Sequence, residues 1–178
     1  MLIRETHSND LEMILAVEKA AFEIEPVVVN LVSELLNDPS AQPTLSLLAF
    51  QNNNPIGHIL FSRVKLENVS LISASILAPL AVIPSSQNQG VGSQLVQTGL
   101  DILSRLETAL VFVLGSPAYY ARFGFQPAQI LGFDPTYPIL DKNIDAWMVK
   151  ILKPNVMNYA KGKVICANAL NKPEYWIE

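Results

Sequence analysis

Two short stretches concentrate the chemistry of this chain. The first is Gln87-Asn88-Gln89-Gly90-Val91-Gly92, with two glycines two residues apart where an apolar run gives way to a helical pattern. The start of a helix offers unpaired backbone N–H groups and the positive end of its dipole, so such a corner can bind an anion without any basic side chain. Glycines let the backbone take turn torsions and approach a ligand closely. The second stretch is Tyr119-Tyr120-Ala121-Arg122-Phe123-Gly124-Phe125, with two adjacent phenols. A phenol has a reference pKa near ~10, so at neutral pH it is a hydrogen-bond donor and a weak acid.

Rival readings of the glycine corner fail on residues. A dinucleotide fingerprint needs a third glycine where Leu95 stands. A P-loop needs Gly-Lys-Ser/Thr, and no lysine lies between Lys65 and Lys142. A plain strand-to-helix corner remains open, as does a packing role for Tyr119 and Tyr120. Elsewhere, His58 lies inside a strand pattern and reads as a hydrogen-bonded, half-buried side chain. Two histidines and one cysteine give no zinc-ligand spacing, and no metal is expected. Cys166 reads as a packing residue. Glu23, Glu25, Asp134 and His7 are candidate bases, but each reads better as an ordinary solvated group, and none is assigned.

The elements that must position these residues follow from periodicity. Strand LIRE (2–5) precedes a helix reaching Phe22, with Asn9 and Glu12 spaced as a capping box. A second helix begins at Pro26 and stops at NDPS (37–40). Runs 45–50 and 55–64 form a hairpin across QNNN, and 71–84 is a further strand carrying Pro79. Proline donates nothing to a ladder, so at Pro79 the strand is either an edge or has lost its neighbour. A helix from Gly90 to Leu106, an apolar strand 109–115, a short helix 118–123 and a closing strand 146–152 follow. After residue 153 come a strand KVICA and an aromatic end, EYWI. The order predicts a mixed α/β (α+β) fold around one sheet, not a doubly wound one.

In this order the motifs resemble the GNAT (GCN5-related) N-acetyltransferases. Q-x-x-G-x-G matches their acyl-CoA pyrophosphate loop, and Tyr120 opens their Y-x-x-x-G-F. The string PLAVIP…QGVGSQL…LGSPAYYARFGF resembles the YhbS-like branch in particular. The resemblance covers Leu2 to about Leu152, and GKVICANAL (162–170) is similar to that branch's C-terminal extension, with Cys166 where an aromatic is expected. It implies the GNAT acyl-CoA N-acyltransferase fold, a mixed central sheet with a splayed parallel strand pair and helices on both faces. It also implies a GNAT domain over 1–153 and an extension, 154–178, packed on the same domain.

The implied co-substrate is acetyl-CoA (coenzyme A). It would be held by Leu80, Ala81 and Val82 on the splayed strand and by Gln87, Asn88, Gln89, Gly90, Val91, Gly92 and Ser93 at the loop. Tyr120 is the implied acid, and a backbone N–H around Leu80 to Val82 the oxyanion donor. The implied reaction is direct acetyl transfer to a primary amine on a small molecule or peptide, in a ternary complex. Many members carry a glutamate on the strand before the loop; residues 71–82 have no acid. That gap leaves a second reading, a non-catalytic acyl-CoA sensor or regulatory module.

Composition bounds these readings. The chain has 178 residues, 50% hydrophobic and 16% charged, which suits a single domain and excludes disorder. No apolar run reaches the ~20 residues of a membrane span, and MLIRETHSND has no apolar signal core, so a cytoplasmic protein without a membrane partner is expected. A net charge of −4 supplies no field for nucleic acid. A mean hydropathy of +0.28 is compatible with a homodimer but does not locate its face.

Overall fold

A computed structural model describes residues 1–177. Strand β1 (Leu2–Glu5) is followed by helices α1 (Leu11–Ala21) and α2 (Pro26–Asn37). Strands β2 (Leu45–Gln51), β3 (Asn54–Leu66) and β4 (Val69–Val82) form a meander. The first turn of the meander is tight because Asn52 and Asn53 both take positive φ, 51° and 65°, which suits asparagine and matches the strand twist. Helix α3 (Val91–Arg105), strand β5 (Leu110–Leu114) and the one-turn helix α4 (Pro117–Tyr120) come next. Two-residue strands β6 (Gln126–Pro127) and β7 (Phe133–Asp134) precede β8 (Trp147–Ile151) and β9 (Gly162–Ile165).

The sheet order is β1-β2-β3-β4-β5-β8-β6. Neighbours on this path are antiparallel except β4 and β5, which are parallel. Alternation along the strands separates two cores. Leu48, Leu60, Phe112 and Trp147 pack under α1 and α2, while Leu47, Ile59, Phe61 and Val111 pack under α3. The sheet is thus covered on both faces, as the uninterrupted apolar run of β5 requires. Among the described residues no helix is long and apolar enough to cross a membrane.

One local expectation is corrected. The helix entry uses Asp10 rather than the Asn9/Glu12 pair: its carboxylate accepts the His7 N–H at 2.7 Å. In the aromatic end, Glu174, Tyr175 and Trp176 lie in a 3-10 turn, Pro173–Trp176. The segment between α4 and β8 holds β6 and β7, which are too short to show any periodicity in the sequence. The tail is tied to the body by main-chain donors, Asn168 N–H to Ser40 Oγ and Ala169 N–H to Asp38 Oδ2, each at 2.9 Å. Trp176 stands edge-on to Trp147 at 5.6 Å and donates its indole N–H to Leu170 O at 3.0 Å. Cys166 is buried, and burial pushes its thiol pKa up, as befits a packing residue.

His58 is fully buried rather than half-buried. Its Nδ1 lies 2.5 Å from Glu18 Oε1 and its Nε2 2.8 Å from Ser46 Oγ. This chain of polar groups ties α1 to β2 and β3 through the core. Burial pushes the Glu18 carboxyl up, opposed by the hydrogen bond from His58. Removing one partner leaves the other desolvated and unpaired, at a cost of about 3–5 kcal/mol, whereas an apolar pair of similar volume restores most of it. In denaturant unfolding, Glu18→Leu and His58→Phe should each destabilise by about that amount and the double variant by clearly less. Additive losses would show that the two groups are not coupled.

Asp10 is buried against Arg4 Nη1 at 2.7 Å. The guanidinium, followed by the His7 amide, holds its carboxyl down at about 2. A folded pKa below the unfolded ~3.9 gives stability that is fully present above about pH 4. That stability is lost as pH falls through about 2. Asp10→Asn should therefore flatten the acid limb of stability between these values, measured by thermal unfolding; an unaltered limb would contradict this origin.

Candidate active site

The site begins where two strands part. β4 and β5 are in register at four positions, Ala74↔Leu110, Ser75↔Val111, Ile76↔Phe112 and Leu77↔Val113, and no pairing continues beyond Leu77. Against β3 the register shifts at the same place: Phe61 faces Leu77 but Ile59 faces Leu80, so β4 carries an extra residue. That bulge contains Pro79, which has no N–H to give a neighbour. Of the two situations that a proline in this strand allows, the pairing gives an open edge. β5 ends at Leu114, one residue past its last pair with β4, while its other side pairs with β8 throughout, from Leu110 with Ile151 to Leu114 with Trp147.

Beyond the bulge, β4 keeps only β3. The Ile83 N–H donates to Ile56 O at 3.0 Å. Antiparallel strands alternate the direction of their amides, so the N–H groups of Leu80 and Val82 face away from β3 into the opening, and that of Ala81 faces β3. The Val82 carbonyl on the same side accepts the Gln87 side-chain amide at 3.0 Å, which holds the following loop against the strand.

That loop enters α3 through Gly90, whose φ of 84° lies in the left-handed region that glycine adopts without penalty. The first intrahelical bond is Gln94 N–H to Gly90 O at 3.0 Å, so the amides of Val91, Gly92 and Ser93 have no acceptor within the helix. They face an open cleft of about 810 Å³. The head of α3 approaches α4 closely here: a Cβ on Gly92 would stand 2.7 Å from Tyr119 Oη, which would have to shift. The cleft is also lined by Tyr119 and Arg122. The Arg122 guanidinium stacks 4.6 Å above the Tyr119 ring and donates to Ser93 Oγ at 3.3 Å.

The two tyrosines divide the site. Tyr119 belongs to the cleft, whereas Tyr120 lines a smaller chamber beyond the bulge together with Pro79, Leu80 and Leu114. Ser116 caps the short helix between them, its oxygen accepting the Tyr119 N–H at 3.4 Å. The Tyr120 ring packs so closely on Gly115 that a Cβ there would meet Cε2 at 2.5 Å. Burial, and secondarily Tyr119, pushes the Tyr120 phenol above its ordinary value. It therefore stays protonated across the neutral range.

Of the ten residues expected to hold the co-substrate, Leu80, Val82, Gln87, Asn88, Gly90, Val91, Gly92 and Ser93 meet in the cleft. Two do not. Ala81 is buried in the core, and the Gln89 side chain turns back to Ser85 O at 3.0 Å. None of Glu23, Glu25, Asp134 and His7 lines the cleft or the chamber. Arg122 escapes a reading of the motif because the loop itself holds no base; the proximity of α4 to α3 supplies one. The chamber's tail residues Tyr175 and Trp176 escape it too, since their distance along the chain gives no local signal. Among the described residues no cluster of His, Cys, Asp and Glu could hold a metal.

Known proteins resemble this chain in sequence and fold. The uncharacterized N-acetyltransferase YjhQ of Escherichia coli K12 is 40% identical over 165 residues, spanning 92% of this chain and 90% of its own. The acetyltransferase (GNAT) domain model matches residues 43–127. The chain belongs to the GNAT family of N-acetyltransferases. The GNAT N-acetyltransferase YhbS from Escherichia coli, crystallised with CoA, superposes with a TM-score of 0.86 at 32% identity, covering 96% of this chain and 92% of that one. A GNAT acetyltransferase from Brucella melitensis, crystallised with acetyl-CoA, gives a TM-score of 0.76 at 25% identity, covering 95% and 97%. The GNAT fold expected from the motifs is the fold observed, with the parallel β4–β5 pair at its centre.

Proposed function

We propose that this acetyltransferase moves the acetyl group of acetyl-CoA onto a primary amine by direct attack in a ternary complex. The observation that carries the reading is the opening between β4 and β5, which joins a helix N-terminus suited to an anion to a chamber bearing a protonated phenol. The relatives crystallised with CoA and acetyl-CoA support the choice of co-substrate.

Acetyl-CoA supplies an activated thioester; the remaining work belongs to the chain. The amides of Val91, Gly92 and Ser93 and the nearby Arg122 guanidinium hold the diphosphate, combining a helix dipole with a charged donor. The outward amides of Leu80 and Val82 take the place of a missing sheet neighbour for the amide-bearing arm. One of them donates to the carbonyl oxygen as attack builds negative charge on it. The new N–C bond forms, the C–S bond breaks, and the amine sheds its extra proton to solvent.

Tyr120 faces the departing sulfur. Its hydroxyl makes no hydrogen bond to another described residue, so it is available as a donor. Burial raises it further above a thiol than a phenol already stands. The proton is therefore shared with the leaving thiolate, and Tyr120 acts as a hydrogen-bond donor rather than as a full proton source.

Two variants separate binding from chemistry. Gly92→Glu places a carboxylate against the helix N-terminus and a Cβ 2.7 Å from Tyr119 Oη, and should abolish CoA binding in calorimetry. Tyr120→Phe should keep CoA affinity and lower kcat for thiol release about tenfold to a hundredfold. Full turnover in Tyr120→Phe would remove it from the reaction. Wild-type CoA binding with no thiol release towards any amine would mark the chain as a sensor instead.

A further inference from the structure

On the α1–α2 side of the opening the chamber encloses about 230 Å³. Phe22, Val28 and Leu31 of the two N-terminal helices, Pro79 and Leu114 at the parted strands, and Trp176 of the tail wall it. Its ionisable wall groups are the phenols of Tyr120 and Tyr175, and burial raises both. The nearest formal charges lie outside: Glu34, Glu174 and Lys172 act on Tyr175, with Glu34 and Lys172 paired at 3.1 Å. Glu23 and Glu25 are exposed on the turn between the helices. The apolar character continues outward. Ile24 is 94% exposed, Val27 41% and Ile177 79%, each beside a wall residue or one removed from it in sequence.

An apolar wall of this kind selects by size and by charge. An apolar cavity of ~150 Å³ takes benzene, so this one has room for a ring with a short arm or a chain of about six to eight carbons. An ammonium drawn into it loses hydration with no counter-charge, which favours the neutral amine. A carboxylate in the wall would do the opposite and hold the amine in its unreactive protonated form.

Resting on the acetyl transfer proposed above, we infer that the acceptor is a monoamine on an apolar body, an arylalkylamine or alkylamine, which the chamber itself presents as the free base. The absence of an acid from residues 71–82 is then no defect. Desolvation does the part of a base that frees the amine before attack, and the proton released from nitrogen after attack passes to solvent. Polycationic acceptors are excluded by the same wall, because their further charges find no partner there.

The test measures thiol release from acetyl-CoA with the linear amines from propylamine to octylamine, with phenethylamine, and with spermidine and an aminoglycoside. The expected kcat/KM climbs about fourfold per methylene until the chamber is full, and the polycations fall at least about a hundredfold below octylamine. The pH limb of kcat, which reports the bound amine, should lie at least about one unit below the amine's solution pKa. Val28→Asp provides the control. Position 28 is half-buried in the first turn of α2, where an acidic side chain suits the helix dipole, so the variant should fold. It should retain CoA affinity, lose about tenfold or more in kcat/KM for octylamine, and move the kcat limb back towards the solution value. A flat amine series, a preference for spermidine or the aminoglycoside, or an unmoved limb in Val28→Asp overturns the inference while leaving acetyl transfer standing. Release with none of the amines overturns both.

Discussion

The site exists because β4 and β5 stay paired for only four residues. β5 ends at Leu114, one residue after its last pair with β4, whereas β4 runs on to Val82. The extra residue in β4 and the missing N–H of Pro79 mark the point at which the two strands part. The break leaves main-chain donors and acceptors without a strand to meet, a condition that a buried backbone does not tolerate without some other partner. A ligand with its own amides satisfies them. The same break lets the cleft on the α3 side communicate with the chamber on the α1–α2 side, Leu80 lining both.

Charge is distributed along this opening in one direction. At the cleft end stand the amides of α3 and the guanidinium of Arg122; at the chamber end the wall groups are neutral at physiological pH. Among the described residues, the one carboxylate–imidazole pair whose chemistry would suit a catalytic base, Glu18 with His58, is instead buried between α1 and the sheet. It holds in place the helix whose last turn leads to Phe22, one wall of the chamber. Two jobs that a single base might have served are thus separated: the fold uses the ionic pair, and the chamber wall carries no carboxylate.

Most of the fold is legible in the sequence because its cues are local. Asparagines at the β2–β3 turn, proline at the first turn of α2, and the switch from period two to period 3.6 at Gly90 each declare an element within a few residues. The glycine corner and Tyr120 are legible for the same reason. What escapes is tertiary. Arg122 reaches Ser93 across 29 positions, and Trp176 closes a chamber begun by Phe22. Ala81 and Gln89 sit among the motif residues, but strand alternation turns the Ala81 side chain into the core and a backbone carbonyl takes the Gln89 side-chain amide. A contiguous motif names a neighbourhood; the direction of each side chain is decided by pleat and hydrogen bond.

Main-chain amides at the parted strand and at the head of α3 must meet coenzyme A if the opening works in this way. Titrating an amide-resolved ¹H–¹⁵N spectrum of the protein with CoA tests that contact directly. The amides of Leu80, Val82, Val91, Gly92 and Ser93 should move most, with those of Ala81 and Glu18 far less affected. Saturable shifts clustered on another surface, with these five amides unmoved, would contradict it.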